Sequence, residues 1–237
     1  MRRFYAPTSS FIGSNVTLDE SETRHLRDVL RLRTGDEVSV FDGAGREFLC
    51  TIEKIEKRRS ELTVISEIAS ASPESPLEIT LAVAILKGEK FDLVIQKAVE
   101  LGVDTVVPLQ TVRGDVKLND VEKRLERWRR IALEATKQCG RSRLMQITEP
   151  AAFESIITGK DNIVLFSERE GKGFSTIKSS KKITALVGPE GGWGDSELMT
   201  AKTNKVSIVT FGGRILRAET AAISVAAILQ HRFGDIN

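Results

Sequence analysis

The sequence predicts an α/β protein: a parallel sheet with helices on its faces, preceded by a small β-barrel. Three observations carry that expectation. Residues 77–237 alternate β-branched runs with helical patterns, which is the mark of a parallel sheet covered on both sides. Residues 1–70 read instead as short alternating strands separated by turns. Between them, Ala69-Ser70-Ala71-Ser72-Pro73-Glu74-Ser75-Pro76 has the composition of a linker. The expected domains are therefore 1–70 and 77–237, joined by 71–76.

In the first domain, residues 2–5 form a short extended run. Residues 21–32 hold its one helical pattern, with Leu26, Val29 and Leu30 on one face. Strands are expected at 37–42, 46–55 and 62–68, with Asp42-Gly43-Ala44-Gly45 turning between the first two. After the linker come a strand at 77–86, a helix at 91–101 closed by Gly102, and a strand at 103–109. A long helix at 119–138 turns Val121, Leu125, Trp128, Ala132 and Ala135 inward. Strands at 144–147 and 162–166 follow.

The last fifty residues hold two strand–loop–helix units, expected to stand side by side. A buried run at 183–187 leads into Leu186-Val187-Gly188-Pro189-Glu190-Gly191-Gly192-Trp193-Gly194. The helix after it should take Asp195 or Ser196 as N-cap, with Glu197 in its first turn, where the dipole favours an acid. A second run at 206–211 leads into Phe211-Gly212-Gly213-Arg214-Ile215-Leu216-Arg217-Ala218-Glu219-Thr220. Its helix, through Ala221, Ala222, Ile223, Val225, Ala226, Ala227 and Ile228, is apolar nearly all round. In an open α/β sheet, ligands bind where strands end. Tight turns account for one or two of these glycines. They account less well for six glycines accompanied by Arg and Glu. Neither the dinucleotide fingerprint nor the Walker pattern is present, and Gly43-Ala44-Gly45 lies in a hairpin. The loops are thus expected to cradle a ligand by backbone, and a pyrophosphate is not the favoured one.

Among 237 residues, 35 Lys and Arg against 33 Asp and Glu leave a net charge of only +2. Overall charge therefore does not announce a nucleic-acid binder, and only clustering can. Two clusters exist. Arg127, Arg129, Arg130, Lys137, Arg141 and Arg143 form the denser, around Trp128; Arg2, Arg3, Arg24, His25, Arg27, Arg31 and Arg33 form the other. A charge run is usually a solvated helix face. The continuation of the first past its helix, through Gly140-Arg141-Ser142-Arg143, favours phosphate binding. Cys50 and Cys139 have neither partner spacing nor histidines nearby, so no disulfide framework and no metal site is expected. Reduced thiols, the lack of an apolar leader and the lack of a membrane-length run predict a cytoplasmic protein.

Arg217 is the strongest single candidate. It lies between Leu216 and Ala218 near a helix start, where a cation is unfavourable. A role in a site is favoured over a salt bridge to Glu219 or Glu190. Arg214 is a weaker second. For Glu190, capping of its own loop is as strong a reading as catalysis. Thr220 is expected to cap the last helix. Lys87, Lys97 and Glu100 read as an ion-pair group, and His231 as structural.

The pair of motifs, Val187-Gly188-Pro189-Glu190-Gly191-Gly192 and Gly212-Gly213-Arg214-Ile215-Leu216-Arg217-Ala218-Glu219-Thr220-Ala221, resembles the RsmE family. The likeness extends to Lys97-Ala98-Val99-Glu100-Leu101-Gly102-Val103, to Glu134-Ala135 with Gln138 and Arg141, and to His25-Leu26-Arg27 with Val29-Leu30-Arg31. Gly213, Cys139 and Met145 depart from the usual pattern. The resemblance implies a SPOUT-type sheet with a C-terminal trefoil knot behind a PUA-like, RNA-binding barrel. It implies S-adenosylmethionine as cofactor and N3 of a uracil in 16S small-subunit ribosomal RNA as methyl acceptor. It implies a homodimer and a place in ribosome biogenesis. Carried onto this chain, the cofactor residues are Phe166, Leu186, Val187, Gly188, Pro189, Glu190, Gly191, Phe211, Gly212, Ile215, Leu216, Arg217 and Thr220. Arg217 and Glu190 become the catalytic pair. The RNA-facing residues become Arg2, Arg3, His25, Arg27, Arg31, Arg130, Gln138, Arg141 and Arg143. A ribosome-associated RNA-binding protein without catalysis and a nucleotide-dependent dehydrogenase are the alternatives.

Overall fold

Two sheets of different kinds form in the computed structural model, which describes residues 2–116, 120–158 and 162–236. The chain divides into two units, 1–74 with 136–144, and 75–135 with 145–237. The segment 136–144 thus belongs with the N-terminal residues, although it lies far beyond the linker in sequence.

The first unit contains β1 (Arg3–Tyr5), β2 (Phe11–Ile12), β3 (Asn15–Leu18), α1 (Glu20–Arg24), β4 (Glu37–Phe41), β5 (Glu47–Ile55) and β6 (Ser60–Ile68). They build a six-stranded sheet in the order β1-β4-β5-β6-β3-β2, antiparallel except for β1 against β4. Alternating residues Val38, Val40, Cys50, Ile52 and Leu62 join Phe4, Val16, Leu18 and Leu26 in its core. Burial there pushes the Cys50 thiol up to about 12, so it is no nucleophile. The hairpin of β2 and β3 is absent from the sequence-based expectation, because its strands are too short to show a period. The helix expected at 21–32 is also cut short. Asp19 caps α1, accepting from the Glu22 N–H at 2.8 Å. After a π-turn at His25–Val29 the chain breaks at Arg31, whose φ of 55° is left-handed. Of the apolar face, Leu26 is buried and Val29 is exposed.

The second unit contains β7 (Glu78–Ala84), α2 (Lys90–Glu100), β8 (Thr105–Gln110), α3 (Val121–Cys139, whose last turn groups with the first unit), β9 (Gln146–Ile147), β10 (Ala151–Ala152), α4 (Phe153–Ile157), β11 (Ile163–Phe166), β12 (Lys172–Gly173), β13 (Lys182–Val187), α5 (Asp195–Thr203), β14 (Ser207–Thr210) and α6 (Ala218–Phe233). Asn119, the expected start of the long helix, lies outside the described residues. The sheet runs β10-β8-β7-β13-β11-β14-β12, with β9 also on β8, and every pair is parallel. One expectation is corrected here: the two glycine-loop units are not adjacent, because β11 lies between β13 and β14. Residues Leu165, Leu186, Trp193, Phe153 and Ala201 share one core. Helix α6 packs on β7, β13 and α2. Near its end, buried Gln230 donates to the Gly102 carbonyl and accepts from Ser75 Oγ.

Candidate active site

Three parallel strands end together. The register sets Phe166 of β11 beside Val187 of β13 and Val209 of β14. The chain leaves β13 by the first glycine loop and β14 by the second. A cleft of about 500 Å³ lies between them, lined by 166–168, 187–192, 210–218 and Ala221. That volume falls within the range of small-molecule sites.

The glycines serve different ends. Gly188 lies tight against the indole: a Cβ there would stand 3.0 Å from Cε2 of Trp193, which would have to give way by a few tenths of an ångström. The indole is fully buried and donates its N–H to the Phe166 carbonyl at 2.7 Å. Trp193 thereby braces the first loop against the end of β11. At Gly192, φ is +68° and a Cβ would fall 2.3 Å from Glu168 Oε1. Gly212 and Gly213 have φ of +69° and +71° with open space around them, so their requirement is conformational. Phe211 stacks on Phe166 with ring centroids 5.6 Å apart and planes at 24°. The N-cap of α5 is Gly194, not Asp195 or Ser196. Glu197 reaches back, and its two carboxylate oxygens accept from the Gly194 N–H at 2.7 Å and the Val112 N–H at 3.0 Å.

Glu190 receives Lys90 Nζ at 2.9 Å. Partial burial pushes its carboxyl up. The hydrogen bonds from Lys90 and its own backbone, with the charges of Lys90 and Lys87, outweigh that and hold it below the usual carboxylate range. Arg217 is the N-cap of α6, in extended backbone and exposed on the cleft wall. Among the described residues it forms no ion pair, neither with Glu190 nor with Glu219.

Of the cofactor residues expected from sequence, eleven line the cleft. Leu186 does not, because it points into the core with no exposure. Thr220 does not either: it is exposed in the first turn of α6, and Arg217 holds the cap position. Sequence reading missed Ser167, Glu168 and Thr210, which complete the wall. The rule that ligands sit at strand ends, applied to the run 162–166, would have found the first two.

The RNA-facing set divides by burial. Arg3 is spent internally: it pairs with both carboxylate oxygens of Glu47 at 2.9 Å and donates to the Thr136 and Arg141 carbonyls. Arg141 is 3% exposed and pairs with Glu74 at 2.7 Å. Neither can meet a phosphate without dismantling this network, so both leave the set. His25 is half-buried, its ring edge-on to Phe4, and Arg27 is tied to Asp28 and the Glu56 and Lys57 carbonyls. Arg2, Arg31, Gln138 and Arg143 of the first unit are exposed, as is Arg130 of the second.

Fold and cleft define an RNA methyltransferase. A family described as an RNA methyltransferase domain matches residues 73–230, and one described as an RNA methyltransferase PUA domain matches 18–65. The ribosomal RNA small subunit methyltransferase E of Synechocystis is 32% identical over 92% of this chain and 74% of its own. A crystal structure of the Neisseria gonorrhoeae enzyme of that name, bound to S-adenosyl methionine, is 34% identical, superimposes with a TM-score of 0.91, and covers 100% of both chains. A methyltransferase from Legionella pneumophila in complex with S-adenosylmethionine is 30% identical, with a TM-score of 0.90 and 98% of each chain covered. The chain belongs to the RsmE family of ribosomal RNA small subunit methyltransferases, as the paired glycine motifs led one to expect.

Proposed function

We propose that this protein transfers a methyl group from S-adenosylmethionine to N3 of a uracil in 16S ribosomal RNA. The observation that carries this is the cleft itself. Both motif loops and the end of β11 converge on one cavity of cofactor size, and two similar solved proteins hold S-adenosylmethionine. The residues fit such a group: backbone from two glycine loops, a stacked Phe166–Phe211 pair, and charges of both signs on the rim. Backbone groups of Val187, Ile215 and Leu216 would hold the adenine. The Phe166 carbonyl accepts from Trp193 and keeps a second lone pair, so Phe166 can contribute both its ring and its oxygen. When bound, the cofactor supplies an electrophilic methyl on a sulfonium.

The chain's own part is charge and position. Loss of the N3 proton to water leaves an anion on the ring, and the exposed Arg217 guanidinium on the cleft wall lowers its cost; the anion then takes the methyl group, with S-adenosylhomocysteine as the leaving product. Glu190, kept ionised by Lys90, fixes the first loop and orients the base edge. N3 is on the pairing edge, so the target must be unpaired or flipped out. Arg2, Arg31, Gln138, Arg143 and Arg130 take the RNA backbone. The same reading includes a division of labour between residues 1–70 and 77–237, a trefoil knot formed by the C-terminal segment, a homodimer and a cytoplasmic location. No helix among the described residues is long and apolar enough to cross a membrane. A thermal-shift comparison tests the cofactor. At one hundred times its Kd a ligand adds about 2.7 kcal/mol, or roughly 5–10 °C for a chain of this size. S-adenosylmethionine should give that shift and NAD and ATP should not; stabilisation by NAD or ATP in its place would overturn the proposal.

A further inference from the structure

We propose that Glu168 is the group that recognises positive charge on the cofactor, an inference that rests on the reading of the cleft as an S-adenosylmethionine site. Glu168 stands two residues beyond the end of β11, after Ser167, and lines the cleft. Its carboxylate lies over Gly192, with Oε1 2.3 Å from where a Cβ would stand, so it rests against the backbone of the first glycine loop. The carboxylates around it are already neutralised. Glu170 pairs with Lys202, Glu190 with Lys90 and Asp195 with Arg169, at 2.8, 2.9 and 2.6 Å. Among the described residues, Glu168 has no such cation, although its neighbours in sequence and space do. Arg214 and Arg217 stand on the opposing loop. The cleft is therefore bipolar, with an acid that forms no ion pair among the described residues at one wall and guanidinium groups at the other. That suits a ligand carrying both signs, as the amino-acid end of S-adenosylmethionine does.

Two cationic centres could meet the carboxylate, the sulfonium and the α-ammonium, and three ligands tell them apart. S-adenosylmethionine has both, S-adenosylhomocysteine keeps only the ammonium, and methylthioadenosine has neither. Calorimetric titration of the full-length wild type and of Glu168→Gln with each ligand reads the contribution directly. The side chain is exposed, so the variant should melt with the wild type, and a melting curve checks this. Glu168→Gln should weaken S-adenosylmethionine about tenfold, the size of one charge-assisted hydrogen bond, and leave methylthioadenosine within about twofold. Equal weakening of S-adenosylhomocysteine assigns the ammonium; an unchanged value assigns the sulfonium. Unchanged affinity for S-adenosylmethionine would overturn the inference, as would equal weakening of all three ligands. Failure of the wild type to bind S-adenosylmethionine at all would instead overturn the reading on which it rests.

Discussion

Replacing Gly188 by Ala tests the brace behind the first loop. The added methyl would sit 3.0 Å from Trp193 Cε2 and 3.2 Å from Cδ2 and Nε1. The indole has nowhere to go. It is fully buried, held by its 2.7 Å hydrogen bond to Phe166, and packed on Phe153 at 5.3 Å between centroids. Overpacking a tight core costs about 1–3 kcal/mol, and a strained or lost hydrogen bond about 0.5–1.5 kcal/mol. The sum, about 2–4 kcal/mol, lowers the melting temperature by roughly 5–15 °C at this chain length. Gly212→Ala is the control. Its φ is +69° but nothing lies within 4 Å, so only backbone strain of about 1–2 kcal/mol applies. Chemical denaturation of both variants gives the comparison, and titration with S-adenosylmethionine shows whether the loop has moved. A Trp193→Phe background supplies room, so Gly188→Ala should cost less there. Equal costs for Gly188→Ala and Gly212→Ala, or a Gly188→Ala cost indifferent to residue 193, would refute the reasoning.

Three further outcomes are expected. Arg217→Ala should keep its fold and most cofactor affinity but lose about a hundredfold in single-turnover methyl transfer; near-wild-type turnover at saturating substrate would remove Arg217 from the chemistry. In the first unit, burial pushes the Glu47 carboxyl up, but hydrogen bonds from Arg3, Ser39 and Ser142 and the Arg3 charge outweigh it and hold it below the usual range. Its contribution is therefore complete above the unfolded value of about 4.3 and is lost as pH falls through the lower folded value. The melting-temperature gap between wild type and Glu47→Gln should shrink on acidification below about pH 4; a gap constant from neutral to acid pH would contradict this. Finally, Arg143→Ala should weaken RNA binding and reduce the slope of log affinity against log salt by about 0.7–0.9, with stability unchanged. Arg141→Ala should do the reverse and destabilise the unit, and a matching RNA defect at unaltered stability would restore Arg141 to the RNA-facing set.

Element type was legible where periodicity is local. The longer parallel strands, α2, α3 and α6 announce themselves by β-branched runs or by apolar spacing, whereas the two-residue strands β10 and β12 do not. Strand order was not, because no local pattern in 163–166 says that β11 inserts between β13 and β14. The cap of α5 was missed for a related reason: Gly194 has no capping side chain to read, and the acid that serves it is three residues on. Arg3 and Arg141 show what charge counting hides. Their partners Glu47 and Glu74 are 44 and 67 residues away, so a buried paired arginine looks in sequence like an exposed one. The same long-range pairing makes the expected boundary at the linker differ from the units observed, since 136–144 joins the first unit. The cleft was the most legible part, because glycine-rich loops after buried strands have few other uses. Its third wall, Ser167 and Glu168, carries no glycine signal, and only the rule that ligands sit at strand ends points to it.

The central claim is a reaction at one atom, and it is tested most directly by the product. Small ribosomal subunits that have never been modified should be incubated with the full-length protein and S-adenosylmethionine labelled in its methyl group. Their RNA should then be digested to nucleosides and separated against standards. The account predicts that the label runs as 3-methyluridine and comes from a single position. Label in a ribose methyl, in another base or in no nucleoside at all would contradict it.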